Sequence, residues 1–349
     1  MANRDILAIG TSAGGFQALR LLASELPAGF PAAVVVVIHL SAQYRSELDE
    51  ILSKSGPLGA SFAQDGEALR RGHIFIAPPA CHLLLEDDHV RLGRGPRENN
   101  ARPAIDPLFR SIAVCCGSRA IGVVLTGSLG DGAAGLQVLQ QCGGITVVQD
   151  PADAAYPEMP ANALRLLRPD HVASLRDVPR LLSRLVREPA GEPVQAPTSI
   201  ETEVEIARSG NTSMSTMDHI GRRSVLTCPD CNGVMWEIDE GDVVRYRCHV
   251  GHAYTADLMS LALDENLRRA LASAARTLDE RIALCGKLHR QASETGHRLL
   301  AESWARKLRE AEEEAKVLRE SMKRADAIAS RYAESPRDEA GAAARKRAN

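Results

Sequence analysis

Between Ile6 and about Leu175 the chain alternates short, almost wholly apolar runs with longer stretches whose apolar residues recur every three or four positions. Ile6 to Ile9, Ala33 to Ile38, His73 to Ala77, Ile121 to Leu125 and Ile145 to Val148 are strand-sized, and continuous apolar runs suit strands covered on both faces. Phe16 to Glu25, Ser46 to Lys54, Pro107 to Cys116 and Ala133 to Gln141 carry helical spacing. Strand and helix in turn imply right-handed crossovers, so the expected fold class is α/β with a doubly wound, mostly parallel sheet. The stretch from Cys81 to Leu92 differs, since two strand-like runs flank Glu86, Asp87 and Asp88, and it predicts an antiparallel hairpin.

After Arg187 the pattern changes. Residues 188–224 are rich in proline and polar residues and read as a linker, which bounds a first domain at 1–187. Residues 225–255 form a small Cys/His-containing unit, and 256–334 show helical periodicity. Leu267, Leu271, Leu278, Ile282 and Leu288 make one apolar set, and Leu300, Trp304, Leu308, Ala311, Ala315, Leu318, Met322 and Ala325 a second, with Gly296 between them. Two long helices folded as a hairpin account for this spacing. The second stripe either closes the hairpin's own core or dimerises it, and periodicity does not choose. The small, basic segment 335–349 is expected to be disordered.

Composition removes several functions. With Lys+Arg 42 against Asp+Glu 45 the net charge is -3, so no global positive field favours nucleic acid or anionic membranes. No run approaches the ~20 apolar residues that span a bilayer, and the N-terminus does not read as a signal peptide. The expected location is cytoplasmic, without membrane insertion. In that setting the eight cysteines are expected as thiols or metal ligands rather than a disulfide framework.

Candidate chemistry lies at the strand ends. Gly10-Thr11-Ser12-Ala13-Gly14 leaves the first strand and enters the first helix; its glycines permit a tight turn that projects the Ser12 hydroxyl, and the helix N-terminus offers N–H groups to an oxyanion. His39 follows the valine-rich strand, and Asp131 follows Val123 to Gly130 at the end of a later one. In an open parallel sheet these ends share one edge, where ligands bind. A serine nucleophile needs a base, and a histidine base needs a carboxylate to fix its tautomer. Ser12, His39 and Asp131 fill those roles in the order serine, histidine, aspartate, which differs from the usual α/β-hydrolase order.

These segments resemble the catalytic domain of the bacterial chemotaxis methylesterases, the CheB family. The resemblance rests on Ile9 to Gly15, Val37 to Leu40, Leu125 to Ala133, and Gln149-Asp150-Pro151 with Tyr156 to Pro160, and covers about 160 residues. It implies hydrolysis of glutamate γ-methyl esters, and often glutamine deamidation, on the helical cytoplasmic region of methyl-accepting chemoreceptors. It assigns the triad to Ser12, His39 and Asp131, the oxyanion donors to the N–H groups of Ala13 and Ser128, and no cofactor to catalysis. The family usually has methionine where Ser128 stands. Familiar members begin with a phosphorylatable receiver domain, whereas here the catalytic motif starts at residue 10, so control is expected to come from elsewhere or be absent. The alternative is a non-catalytic scaffold acting through the C-terminal region; an intact triad argues against it.

That region holds a second constellation. Cys228 and Cys231 form C-x2-C, and after sixteen residues Cys248 and His252 form C-x3-H, a donor set and spacing that suit tetrahedral Zn²⁺ in a closed structural site, with His249 as the alternative fourth ligand. Cys81, Cys115, Cys116, Cys142 and Cys285 lack such spacing and are expected to pack. Between Cys228 and His252 only Arg245 and Arg247 are strong cations, a poor phosphate surface, and a docking role for the unit is more economical.

Overall fold

The computed structural model describes residues 3–40, 46–210, 212–239 and 244–346, with side chains as far as Arg324. In chain order the first part holds β1 (Ile6–Thr11), α1 (Gly15–Glu25), β2 (Ala33–Ile38), α2 (Leu48–Ser55), β3 (Gly59–Phe62) and β4 (His73–Ile76). Then come β5 (His82–Glu86), β6 (His89–Gly93), α3 (Ile105–Cys115), β7 (Ala120–Val124) and α4 (Ala133–Gln141). β8 (Ile145–Gln149), α5 (Glu158–Leu166), β9 (His171–Ala173) and α6 (Val178–Leu185) complete it. Seven strands form one sheet in the order β3-β4-β2-β1-β7-β8-β9, and every pairing in it is parallel.

Residue alternation divides the core between the two faces of this sheet. Ala8, Val35, Val37 and Val124 meet Leu108, Phe109, Leu136 and Leu139 on one side, while Leu7, Ile9, Val34 and Val36 meet Leu19, Leu22, Leu52 and Leu182 on the other. Each β2 residue is therefore buried, which explains a strand made almost wholly of valine. β5 and β6 pair antiparallel as a separate hairpin, turned by Asp87 and Asp88, both at positive φ. Leu83 and Leu85 carry it onto the α3 side of the core.

Residues 188–224, expected as a linker, hold α7 (Thr198–Ser209) and α8 (Met214–Ile220). α7 buries Ile200, Glu203, Ile206 and Ala207, and packs on α3. It comes so close to the segment after β6 that a Cβ on Gly95 would stand 2.5 Å from the Ala207 carbonyl oxygen. The segment is ordered because one face is apolar plus a single carboxylate whose partners lie far away in the chain. A four-stranded antiparallel sheet follows, in the order β10 (Arg222–Thr227), β11 (Val234–Asp239), β12 (Val244–Cys248) and β13 (Ala253–Thr255). Trp236 of β11 is buried against Ile206 and Met217 and donates its indole N–H to Asp218. Val243, which with Val244, Arg245 and Tyr246 makes a strand-like run in the sequence, lies outside the described residues.

Residues 3–259 group as one compact unit, and the rest of α9 (Ala256–Glu294) with α10 (Arg298–Lys346) forms a second. Within it Gly296 takes positive φ at the turn, Ala311 and Ala315 are buried, and the pairs Arg281–Glu314 and Arg319–Asp279 cross between the helices. That part of the apolar stripe serves the hairpin's own closure. The side chain of Ala325 lies outside the description. The segment expected as a disordered tail continues α10 as far as Lys346, in keeping with its alanine, glutamate and arginine content. Cys115 and Cys116, expected as packing thiols, are joined as a vicinal disulfide where α3 ends. Among the described residues no helix is long and apolar enough to cross a membrane.

Candidate active site and metal centre

Three strand ends meet at one edge of the sheet. Ser12 follows β1 directly, and its N–H donates to the Thr126 carbonyl at 3.1 Å, tying the turn to the end of β7. Gly14, at φ 76, starts α1 in a conformation that costs glycine nothing. His39 follows β2, and its Nδ1 lies 3.0 Å from the Ser12 Oγ. Its Nε2 lies 2.8 Å from Asp131 Oδ2. With the carboxylate accepting from Nε2–H, Nδ1 is left as an acceptor for the serine hydroxyl.

Asp131 is buried and accepts four hydrogen bonds. His39 Nε2 and the Ile105 N–H (2.7 Å) reach one oxygen; the Asn99 amide (3.0 Å) and the Asp106 N–H (3.2 Å) reach the other. The two backbone donors are the first N–H groups of α3, so the carboxylate also caps that helix. Burial opposes its ionised form, but the bonds from His39, Ile105 and Asn99 prevail and hold the carboxyl below its ordinary range. Asp106 beside it shows the reverse: burial, then the neighbouring Asp131 charge, pushes its carboxyl up to about 7. Asn99 donates to both carboxylates, reaching Asp106 at 2.9 Å.

The loop opposite Ser12 is Gly127-Ser128-Leu129. A Cβ on Gly127 would stand 3.0 Å from that of Ser12, so the loop lines the Ser12 side chain. The Tyr156 to Pro160 segment pins it: Gly127 N–H donates to the Tyr156 carbonyl, Met159 N–H to the Gly127 carbonyl, and Leu129 N–H to Glu158. Gln149 accepts from Thr126 N–H at 2.9 Å. Among the described residues the N–H groups of Ala13 and Ser128 have no partner within the chain, which leaves both available to an oxyanion beside Ser12. Asn99, Asp106 and Gln149 went unassigned in the sequence; the only signal for Asn99 is an Asn-Asn pair, a type tolerant of the positive φ (50° and 63°) that both adopt.

The Cys/His unit lies against this site. The backbone of β13 pairs with the loop carrying Asn99, and a cavity of about 260 Å³ runs between Gly130, Asn162 and Arg165 on one side and Val244, Thr255 and Asp257 on the other. Arg245 and Arg247 do not face solvent. They are buried with Glu203, Glu98 and Arg110: Arg247 donates to Glu98 at 3.0 Å and to Glu203 at 2.7 Å, Arg245 pairs with Glu203 at 2.9 Å, and Arg110 bonds Glu98.

One ligand atom from each of Cys228, Cys231, Cys248 and His252 lies within 4.8 Å of the others, a set that could hold a metal ion. His252 Nδ1 stands 3.6 Å from Cys228 Sγ and 3.5 Å from Cys248 Sγ, and the Sγ atoms of Cys231 and Cys248 are 3.7 Å apart. Tetrahedral zinc bonds of about 2.3 Å to sulfur and about 2.0 Å to nitrogen set ligand edges of about 3.5–3.8 Å, which these separations match. His249, the alternative ligand, stands outside this set, with its Nδ1 buried and unpartnered beside Gly233.

Fold and site together define a serine hydrolase built on a doubly wound parallel sheet. A sequence model of the CheB methylesterase family matches residues 7–182, and the chain belongs to that family. It is 37% identical over 184 residues to a provisionally named protein-glutamate methylesterase/protein-glutamine glutaminase of Leptospira interrogans, covering 52% of this chain and 95% of that one. A protein-glutamate methylesterase/protein-glutamine glutaminase of Anaeromyxobacter dehalogenans is 38% identical over 186 residues, and one of Xanthomonas campestris 39% over 185. The match spans 54% and 51% of their lengths and 53% and 52% of this chain. The crystal structure of the Thermotoga maritima CheB methylesterase catalytic domain superposes with a TM-score of 0.50 at 30% identity, covering 53% of this chain and 99% of that domain.

Proposed function

We propose that this chain hydrolyses glutamate γ-methyl esters on the cytoplasmic helices of methyl-accepting chemoreceptors, with Ser12, His39 and Asp131 as its catalytic triad. The observation that carries the reading is the continuous hydrogen-bond relay from Ser12 Oγ through His39 to Asp131, at 3.0 and 2.8 Å. Ser12 attacks the ester carbonyl as its proton passes to His39 Nδ1, while Asp131 holds Nε2–H and stabilises the imidazolium. The negative oxygen forms beside the free N–H groups of Ala13 and Ser128. Collapse of the intermediate expels methanol, which takes the proton from Nδ1. Water, deprotonated by the same nitrogen, then releases the glutamate carboxyl. With ammonia as the leaving group the same steps deamidate glutamine, in line with the relatives' double names.

Cys228, Cys231, Cys248 and His252 would hold a structural Zn²⁺, since three thiolates and an imidazole leave no open coordination position. Protein purified without chelator is expected to contain one zinc per chain by elemental analysis; markedly less would count against this assignment.

The substrate is tested by mixing the chain with chemoreceptor cytoplasmic fragments whose glutamates have been methylated, and following methanol release. Release is expected. A folded protein that cleaves a simple methyl ester but not the receptor fragment would overturn the receptor while leaving the chemistry intact.

A further inference from the structure

Among the described residues, the Asn99 side chain hydrogen-bonds both the triad and the Cys/His unit. Its amide nitrogen donates to Asp131 and Asp106, at 3.0 and 2.9 Å, and so bridges two buried carboxylates. Its side-chain oxygen accepts from the Thr255 N–H of β13 at 3.3 Å, and its own N–H donates to the Ala253 carbonyl at 2.8 Å. The neighbouring Arg97 carbonyl accepts from Ala253 N–H at 3.3 Å, and Glu98 is clamped by Arg110 and Arg247. β13 begins one residue after His252. The loop that orients Asp131 is thus joined to the Cys/His unit by a parallel bridge between Glu98 and Ala253.

We propose that Asn99 is a positioning residue for the triad, and that β13 of the Cys/His unit holds it in place. The inference rests on the triad reading above. Because the amide is fixed at its oxygen end by Thr255, its nitrogen end is aimed at the carboxylate pair and cannot rotate away. Without that donor, Asp131 faces Asp106 across an unbridged gap, and the oxygen shared by Asn99 and the Asp106 N–H loses half its support. Other charged or titratable groups around the pair are His39 and the buried His82 near Asp131, with Arg110 and Arg245 near Asp106. None of them takes over the Asn99 bond.

Asn99→Asp and Asn99→Gly separate the two ends of the residue. Both variants tolerate the positive φ. Asp keeps an oxygen for the Thr255 N–H but replaces the donor by an acceptor; Gly removes both. In the full chain, the rate at which a fluorophosphonate labels Ser12 reports nucleophile activation without any choice of substrate, and amide exchange reports β13. Both variants are expected to label about tenfold to a hundredfold more slowly. The acid limb of the labelling rate should shift to higher pH, because less support for the ionised carboxylate raises its protonation point. The Thr255 amide should exchange about fivefold faster in Asn99→Gly, the equivalent of one lost hydrogen bond, and unchanged in Asn99→Asp. Wild-type labelling rates and pH profiles in both variants would overturn the positioning role, and an unchanged Thr255 amide in Asn99→Gly would overturn the hold by β13. If the wild type shows no Ser12 labelling at all, the triad reading itself has failed.

Discussion

Replacing Asp131 by asparagine is expected to slow ester hydrolysis by about 10⁴-fold, the size of effect that follows when a triad histidine is held in the wrong tautomer. The carboxylate accepts from His39 and Ile105 on one oxygen and from Asn99 and Asp106 on the other. An asparagine can accept at only one end. If its NH₂ faces His39, the imidazole must accept at Nε2 and carry its proton on Nδ1, where it can no longer take one from Ser12. If the NH₂ faces the other way, it meets two N–H donors in a buried site, at a cost of about 1–3 kcal/mol. Facing His39, the NH₂ meets only the Ile105 N–H, so the first orientation is the less costly and function is lost with it, while either orientation lowers the melting temperature. Turnover within tenfold of wild type would mean that His39 does not depend on Asp131.

The second large effect concerns stability. Arg247 is fully buried, and Arg247→Leu takes away a donor that bonds both Glu98 and Glu203, breaking a buried ion-pair network at a cost that is typically about 3–5 kcal/mol. The pH dependence distinguishes this from simple packing. Burial works against ionisation of Glu203 and Glu98, yet the surrounding arginines hold Glu203 well below the ordinary carboxylate range and Glu98 below it. Carboxyls depressed in the folded state contribute stability that is present above their unfolded value, about 4.3, and is lost as pH falls through the folded one. Denaturant unfolding should therefore show the full wild-type advantage near pH 7 and a shrinking one below about pH 4. An equal gap at both pH values would indicate a packing defect instead.

Much of the first part was legible because its strands are continuous apolar runs and the ends of parallel strands share an edge. That alone places Ser12, His39 and Asp131 near one another. β3 and β9 were missed because they are short, partly exposed and lack an apolar run; Gly59 to Phe62 has one large apolar residue and His171 to Ala173 has one valine. α7 was missed for a different reason. A glutamate on a helix face ordinarily marks the solvent side, but Glu203 points inward, toward arginines from α3 and β12 that no local window contains. The same holds for Asn99, whose side-chain partners lie 7, 32 and 156 positions away. Polar groups buried by distant partners carry no periodic signature. They are also what joins the Cys/His unit to the triad, so that link became visible only in three dimensions.

The central claim is that Ser12 performs the chemistry, and the direct measurement is methyl-ester hydrolysis by wild type and Ser12→Ala, each shown by its melting transition to be folded. Loss of the hydroxyl should reduce turnover by at least about 10⁴-fold while leaving the transition where it was. Equal rates from the two proteins would contradict the account, because the hydrolysis would then not pass through the serine held by His39.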